Sequence, residues 1–284
     1  MKSINTLVTD IYDLVSNPKG FSEGNVIEFG KALAQRLAER LSETRSKGTL
    51  RGSNLGKPCS RQLWFEVHRS DKREPLPPAT RLKFLFGDIL EELLLFLARE
   101  AGHTVVGEQT PINIGGVKGH IDAIVDGQLV DVKSASTYAF QKFKDHKVPE
   151  DDPFGYMDQL GAYLSGSQDN PDLKEKDVAS FLVIDKTLGH LTLDTYPATG
   201  KDYKKLVEEK KEMLSRDTPP DRHYQDEEFT NGNRKLGVAC SYCPFKFECW
   251  PDLQVFPYAR KPVFLTEVKK APKLKTKVDP ADEF

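Results

Sequence analysis

The sequence predicts an α/β fold in which helices flank a central mixed sheet. Three observations support this prediction. Apolar residues recur at helical spacing over residues 1–48 and 80–99. Short apolar runs of strand length are concentrated in residues 104–134 and return in residues 180–196. Strands bracketed by long helices are typical of α/β domains with the sheet at the centre.

The helices are assigned where apolar side chains repeat every three or four positions. The N-terminal region contains two such stripes, separated by the polar segment FSEGN. A Gly-rich segment then leads into a short helix, and a polar, Pro-rich loop separates that helix from the longest one. The predicted helices cover residues 1–48 in two segments, 61–67, 80–99, 155–166 and 201–215.

The strands are assigned to apolar runs bounded by turn residues. They cover residues 104–108, 111–115, 117–125 and 128–134, and a second hairpin covers residues 180–196. An Asp126–Gly127 turn joins two of these strands, because Gly tolerates the positive φ that a tight hairpin needs. Val125 then faces Gln128, and this antiparallel hairpin makes the sheet mixed.

Composition limits the class of protein. The chain has 284 residues, of which 38% are hydrophobic and 30% are charged, which fits one large globular domain or two small ones. No apolar run approaches the ~20 residues of a membrane span, and MKSINTLVTD lacks the basic-then-apolar pattern of a signal peptide. We therefore expect a cytoplasmic protein with no membrane partner. In that reducing compartment its four cysteines are metal ligands or buried thiols rather than disulfides.

Charge is spread unevenly along the chain. The net charge is −2, but residues 260–284 contain seven Lys or Arg and four Asp or Glu, a local net charge of +3. This last segment is also rich in Pro, a composition typical of disorder. We predict a helical N-terminal extension over 1–48, a core over 49–259 whose two ends the cysteines close, and a disordered basic tail over 260–284. The acidic tip of the tail, residues 279–284, is a candidate contact for replication or recombination proteins.

The hairpin around the Asp126–Gly127 turn places two carboxylates together. Counting outward from the turn puts Asp122 opposite Asp131, about 5 Å apart, where like charges repel. A divalent cation turns that repulsion into coordination. Lys133 shares a face with Asp131 and, in the same register, faces His120, a candidate contact just outside the metal ligands. Two Asp and a Lys around Mg²⁺ suit phosphodiester hydrolysis, whereas the alternative is a solvent-facing strand whose charges never meet.

Two helices add candidate side chains. Glu91 lies one turn after Gly87, and helical side chains lean toward the N-terminus, so Glu91 reaches over a residue with no side chain. That leaves room for a metal ion or a phosphate, with Glu92 as the neighbouring alternative. In MDQLGAYL, Gln159 and Tyr163 share a helical face at i, i+4. Taken singly, each of these polar residues also fits an ordinary surface position.

Together the candidates form an ordered set of short motifs. They are G-x3-E (Gly87, Glu91), G-x2-D (Gly119, Asp122), D-x-K (Asp131, Lys133) and Q-x3-Y (Gln159, Tyr163). In this order and spacing, over about residues 50–250, the set resembles the RecB-like branch of the PD-(D/E)xK nuclease superfamily. The resemblance implies a restriction-endonuclease-like core that hydrolyses DNA.

Roles for the residues follow from the resemblance. It implies that Glu91, Asp122 and Asp131 bind Mg²⁺ or Mn²⁺ together with the backbone carbonyl of Val132. Lys133 is then the catalytic lysine, and Gln159 and Tyr163 steady the site and the DNA backbone. The chain departs from the pattern, because many relatives carry His at position 91 and Glu at position 131, and Ile121 replaces the Pro of the superfamily's name.

The activity expected from the resemblance is metal-dependent DNA hydrolysis by an exonuclease that acts on ends or single strands. One alternative is a structure-specific endonuclease. Another is a catalytically silent, cluster-bearing subunit that binds DNA or assembles a complex. Lys142, Lys144, His146 and Lys147 follow the D-x-K strand and could track the DNA backbone, as could Arg61 near the first cysteine; a solvated loop explains the residues after the strand equally well.

The cysteines form a separate pattern. Cys240, Cys243 and Cys249 are spaced C-x2-C-x5-C, and Cys59 lies about 180 residues upstream. Four thiolates can hold zinc or an iron–sulfur cluster, and zinc sites more often use two paired knuckles. The arrangement resembles the iron–sulfur staple of CRISPR-associated RecB-like nucleases and of AddB-type subunits. That resemblance implies a [4Fe–4S] cluster, with zinc or metal-free thiols as alternatives.

Overall fold

The computed structural model describes residues 2–17, 20–42, 48–258 and 262–273. Its helices are α1 (Leu7–Ser16), α2 (Glu23–Ser42), α3 (Gly52–Leu55), α4 (Ser60–His68), α5 (Pro78–Glu100), α6 (Thr137–Lys144), α7 (Tyr156–Gly166), α8 (Tyr203–Leu214), α9 (Val238–Ser241) and α10 (Lys246–Cys249). Its strands are β1 (Val105–Val106), β2 (Pro111–Ile114), β3 (Val117–His120), β4 (Ala123–Val125), β5 (Gln128–Ala135), β6 (Glu175–Asp185), β7 (Leu191–Pro197), β8 (Glu227–Glu228), β9 (Arg234–Lys235), β10 (Gln254–Pro257) and β11 (Pro262–Glu267). The chain divides into two compact units.

The first unit contains the described residues within 1–46, 50–56 and 79–209. Its main sheet has the strand order β1-β4-β5-β6-β7. β5 and β6 pair in parallel and the other neighbours pair antiparallel, so the mixed sheet predicted from the sequence is present. A parallel pair needs a long crossover, and α6 and α7 lie in that connection.

Both faces of this sheet are covered by helices. On one face, α6 and α7 contribute Phe143 and Leu160 to a core that includes Phe181 of β6. On the other face, Leu7 of α1 and Leu94 of α5 join a core with the inner residues of β4 and β5. Helix α1 therefore belongs to the first unit and is not part of a separate N-terminal extension, because its apolar stripe is buried against the sheet.

The predicted strand over residues 117–125 is interrupted in the structure. Its first part, β3, pairs with β2 in a separate two-stranded sheet, and its second part, β4, pairs with β5. His120 consequently lies opposite Pro111 and is exposed, so the prediction that it faces Lys133 is wrong. The chain changes partner at Ile121, whose N–H donates to Thr110 instead of continuing one hairpin.

The second unit contains the described residues within 47–49, 57–78 and 210–284. The sheet of this unit has the strand order β10-β11-β9-β8. The aromatic core of the unit contains Trp64, Phe65 and Phe245. The predicted disordered tail begins too early, because β11 pairs with two strands and buries Leu265 completely. Residues 274–284, with the acidic tip, lie outside the described residues. No helix in the described ranges is long and apolar enough to cross a membrane.

Gly161 in α7 is the site of a stability prediction. A Cβ at this position would overlap the hydroxyl of buried Tyr203, whereas a Cβ at Gly30 in α2 would meet no atom within 4 Å. Gly161→Ala is expected to lower the free energy of unfolding by about 1–3 kcal/mol through overpacking. Gly30→Ala is expected to raise it by about 0.5–1 kcal/mol, because Ala is the better helix former. Denaturant unfolding of both variants measures the contrast, and equal stabilities would contradict it.

Candidate active site

The candidate site lies in the first unit, where four elements or their edges supply its side chains. Glu91 comes from α5, Asp122 from the residue before β4, Asp131 and Lys133 from β5, and Gln159 and Tyr163 from α7. The turn has the predicted register, with Val125 opposite Gln128 and Ala123 opposite Val130. Counting one residue further from the turn on each strand places Asp122 across from Asp131.

Asp131 is the most deeply buried carboxylate of this group, with 1% of its surface exposed. Lys133 Nζ forms an ion pair with Asp131 Oδ2 at 2.6 Å, whereas Asp131 Oδ1 has no hydrogen-bond partner among the described residues. Asp122 Oδ2, in contrast, accepts a hydrogen bond of 2.7 Å from the Val132 N–H. The buried Oδ1 oxygen without a donor is an acceptor that a second cation would satisfy.

The electrostatics show how strongly these groups interact. Burial raises the pKa of Asp122 well above its ordinary value, and the charges of Asp131 and Glu91 raise it further. Burial alone favours a neutral Lys133, yet the carboxylates of Asp131 and Asp122 outweigh it and raise the pKa of the amine. Lys133 is therefore positively charged in this structure and is held beside the carboxylates of Asp131 and Asp122.

Glu91 has partners that sequence reasoning missed. Its Oε1 accepts hydrogen bonds from Arg36 Nη2 at 2.6 Å and from Gln109 Nε2 at 2.7 Å. Arg36 Nε also donates to Glu92 Oε1 at 3.1 Å. Burial raises the pKa of Glu91 although the Arg36 charge opposes the shift. A signal for this contact was present, because Arg36 and Arg40 repeat on α2 with the spacing of the acidic residues on α5.

Gln159 and Tyr163 form the predicted i, i+4 pair, with Gln159 Nε2 donating to Tyr163 Oη at 3.2 Å. The Tyr163 ring lies against two glycines: a Cβ on Gly52 would come within 2.8 Å of the ring and one on Gly119 within 3.3 Å. Gly119 of the G-x2-D motif is thus needed for packing. Burial raises the pKa of Tyr163 to about 12, so this buried ring supports the hairpin as a neutral phenol.

Of the residues predicted to contact DNA, some are exposed and others are already paired with protein groups. Lys144 and Lys147 are exposed, while Lys142 forms an ion pair with Asp151. In the second unit, Arg61 donates to the Pro220 carbonyl at 2.6 Å and its guanidinium lies 5.3 Å from the Phe65 ring centroid. Tyr156 was not predicted, and its ring centroid lies 5.1 Å from Lys133 Nζ.

The four cysteines all lie in the second unit, carry free thiols and line one cavity with Phe65 and Trp250. Burial raises the pKa of Cys240 to about 11 and that of Cys243 to about 12, and neighbouring thiols contribute to both shifts. Sulfur donors around one cavity fit a thiolate-bound metal group in kind. In the parts of the chain that the structure describes, however, no group of three or more His, Cys, Asp or Glu is arranged to hold a metal ion.

No protein-family model matches the chain, and no curated protein matches it. One solved structure that matches is described as "Crystal structure of SSO0001"; it is 19% identical, with a TM-score of 0.41, over 79% of this chain and 96% of that chain. A TM-score of that size carries no inference about function.

The raised pKa of Asp122 predicts how stability depends on pH. The stabilisation associated with such a carboxyl is complete below its unfolded-state pKa of about 4 and is lost as pH rises through the higher folded-state pKa. Asp122→Asn keeps an oxygen that accepts from the Val132 N–H. Because the amide does not ionise, the variant does not lose this stability as pH rises. In EDTA, the Tm advantage of Asp122→Asn over the unmodified protein is expected to be larger at about pH 8 than at about pH 4.5. A difference that stays constant with pH would contradict this.

Proposed function

We propose that this chain is a metal-dependent DNA nuclease, an exonuclease that hydrolyses phosphodiester bonds at ends or in single strands. The observation that supports it most is Asp131, a buried carboxylate that pairs with Lys133 at 2.6 Å, has no hydrogen-bond partner at Oδ1 among the described residues and raises the pKa of Asp122. A structural role accounts poorly for this arrangement, because buried like charges destabilise a fold that gains nothing from them.

Each residue has a role in the proposal. Glu91, Asp122, Asp131 and the Val132 carbonyl would hold Mg²⁺ or Mn²⁺, which supplies charge stabilisation and an activated water. Lys133, held protonated by its carboxylates, binds the phosphate oxygen on which negative charge develops. Tyr156 fixes one side of that amine through its ring face. Gln159 and Tyr163 keep the strands of the site in place from α7.

The cofactor proposed for the second unit is a [4Fe–4S] cluster held by Cys59, Cys240, Cys243 and Cys249, with zinc as the alternative. All four side chains line one cavity, and Cys59 stands far from the others in sequence. A group bound there would close a long loop of chain and stabilise the fold as a cross-link does.

A second candidate function is supported by the contact between Arg36 and Glu91. A guanidinium 2.6 Å from a proposed metal ligand already satisfies that carboxylate without a metal. In this second function, Arg36 keeps Glu91 from binding a metal ion, and the protein binds DNA or assembles a complex without cleaving DNA. The carboxylates of the site then contribute only to structure.

One assay separates these functions. End-labelled linear DNA and circular DNA, each single-stranded and double-stranded, are incubated with the protein in Mg²⁺, Mn²⁺ or EDTA. Metal-dependent shortening of linear DNA alone supports the exonuclease. Cleavage of circles supports an endonuclease, and binding without cleavage in any metal supports the silent subunit.

Arg36→Ala tests whether the guanidinium competes with a metal. Loss of this charge leaves Glu91 free for coordination, so Mn²⁺ affinity measured by calorimetry is expected to rise about tenfold, the size of a lost charge-assisted hydrogen bond. Arg40→Ala is the matched control, because Arg40 also joins α2 to α5 but bonds Asp88. Unchanged or weaker Mn²⁺ binding by Arg36→Ala would show that Arg36 positions Glu91 instead.

A further inference from the structure

An exposed aromatic ring lies beside the candidate active site in the first unit. Phe154 belongs to the loop before α7, and 49% of its surface is exposed. Its ring centroid lies 5.6 Å from that of Tyr156, whose centroid is in turn 5.1 Å from Lys133 Nζ. One aromatic ring therefore separates Phe154 from the amine that binds phosphate in the proposed function.

The two rings of this pair differ in what holds them. Tyr156 packs on the core, with ring centroids 6.0 Å from Phe143 and 6.3 Å from Phe181. Phe154 contributes less to that core, because about half of its surface stays in water. A single exposed aromatic residue is ordinary at a protein surface, so it is the position of Phe154 next to Lys133 that points to a ligand.

The loop that carries Phe154 is held in one conformation. Asp152 Oδ1 accepts hydrogen bonds from the Gly155 and Tyr156 N–H groups at 2.8 Å and 2.9 Å. Asp152 Oδ2 accepts a third from the Met157 N–H at 2.9 Å. These bonds cap the start of α7 and fix the backbone on both sides of Phe154. A ring presented by a fixed loop loses little conformational entropy when it binds a partner.

The carboxylates around this loop are paired with cations or backbone donors. Lys142 forms an ion pair with Asp151, and Lys201 forms one with Asp158 at 2.7 Å. Asp152 is engaged by the N–H groups at the start of α7. These pairings reduce the repulsion that the phosphates of a nucleic-acid strand meet at this loop.

An exposed ring beside a phosphate-binding amine suits a nucleotide. Each nucleotide joins a phosphate to a flat base, and every base has a π face on which an aromatic side chain can stack. The bases inside a duplex are already stacked on their neighbours, whereas an unpaired base offers a free face. The arrangement of Phe154 and Lys133 therefore favours a single strand.

We propose that Phe154 stacks on an unpaired base of the DNA strand whose phosphate Lys133 binds, and so selects single-stranded over duplex DNA. This rests on the proposed function, since it takes Lys133 as the phosphate-binding group. Phe154 is a binding residue in this proposal, and Asp152 and Tyr156 position its ring.

The test separates bases from phosphates. Affinity is measured by fluorescence anisotropy in Ca²⁺, with a gel to confirm that the DNA stays intact, for three DNAs of equal length: a single strand of thymidines, an abasic single strand with the same phosphates, and a duplex. The unmodified protein is compared with Phe154→Leu. Phe21→Leu is the matched control, because Phe21 is in the same unit, is also 49% exposed and contacts one ring, Phe96, at 5.4 Å.

Phe154→Leu is expected to weaken binding of the thymidine strand about tenfold, the size of one lost base stack, and to leave the abasic strand and the duplex unaffected. Phe21→Leu is expected to change none of the three. Because stacking carries no charge, the salt dependence of thymidine binding should be the same in Phe154→Leu as in the unmodified protein.

Phe154→Trp gives a second measurement that does not depend on removing the ring. It should retain the affinity of the unmodified protein, and the fluorescence of the new indole should be quenched by the thymidine strand and not by the abasic strand. The two native tryptophans, Trp64 and Trp250, lie in the second unit, and the unmodified protein supplies their background signal. Thermal unfolding checks that each variant is folded.

Three results overturn the inference even when metal-dependent cleavage is intact. They are an unchanged affinity of Phe154→Leu for thymidines, an equal loss on the thymidine and abasic strands, and no measurable binding of the thymidine strand by the unmodified protein. Absence of quenching in folded Phe154→Trp overturns it as well. A base-dependent loss in a protein that cleaves no DNA in Mg²⁺ or Mn²⁺ overturns the nuclease instead and leaves the stacking contact standing.

Discussion

Asp131→Asn is expected to abolish metal-dependent cleavage of DNA. The substitution removes one buried charge from the group formed with Asp122 and Glu91, and an amide is a poor ligand for Mg²⁺ in place of a carboxylate. Activity on end-labelled DNA is expected to fall by a factor of at least about a thousand, the size seen when a main source of transition-state charge stabilisation is lost. Asp169→Asn, on an exposed loop residue, is the matched control.

Stability separates this effect from unfolding. In the metal-free protein Asp131 is 1% exposed and repels Asp122, so Asp131→Asn is expected to leave Tm unchanged or raise it. Lys133→Ala is expected to abolish cleavage as well, but to destabilise the fold by about 3 kcal/mol, because it leaves buried carboxylates without their cation. Lys118→Ala, at an exposed position of β3, controls for loss of a lysine. Near-full Mg²⁺- or Mn²⁺-dependent cleavage by either site variant would refute the assignment.

Protein purified without oxygen is expected to be brown and to contain iron and acid-labile sulfide. Cys240→Ser should reduce the iron content and lower the unfolding free energy by roughly 3–5 kcal/mol, since a group tied to both Cys59 and the C-terminal cysteines closes a loop of more than 100 residues. Tyr242→Phe, at a residue with 74% of its surface exposed between two of the cysteines, is the matched control.

The metal-free protein provides a further contrast for this prediction. Burial raises the pKa of Cys240 to about 11, so its thiol is neutral without a metal and contributes little beyond packing. Cys240→Ser should therefore change the stability of protein stripped of metal by less than about 1 kcal/mol. Stoichiometric zinc without iron in anaerobically prepared protein would contradict the iron–sulfur assignment and support the alternative.

The parts of the fold that local pattern determines were predictable. The long helix expected over residues 80–99 is α5, Pro78–Glu100, and the turn at Asp126–Gly127 sets the register of β4 and β5 as expected. Asp131 and Lys133 share a face because side chains in a strand alternate with a period of two. These features depend on neighbours in sequence, which a single chain displays directly.

The remainder depends on long-range contacts or on very short elements. Arg36 meets Glu91 across 55 positions, and the matched charge spacing on the two helices does not by itself specify that these helices pack together. The switch of pairing partner at Ile121 depends on β2, which competes with β5 for the same strand. The second sheet was missed because β8 and β9 contain two charged residues each and show no apolar alternation.

The burial of α1 against the central sheet affects how the chain folds during synthesis. Leu7 and Ile11 pack against Leu94 of α5 and Val130 of β5, which leave the ribosome about 90 to 120 residues later. At about 5–20 residues per second, α1 waits roughly 4–25 s for its partners. An isolated helix of ten residues is marginal in water, so this segment remains mostly unfolded over that interval and presents an apolar stripe to chaperones. Synonymous codons that slow translation between α1 and β5 should therefore increase aggregation of the nascent chain more than equally slow codons placed after β7.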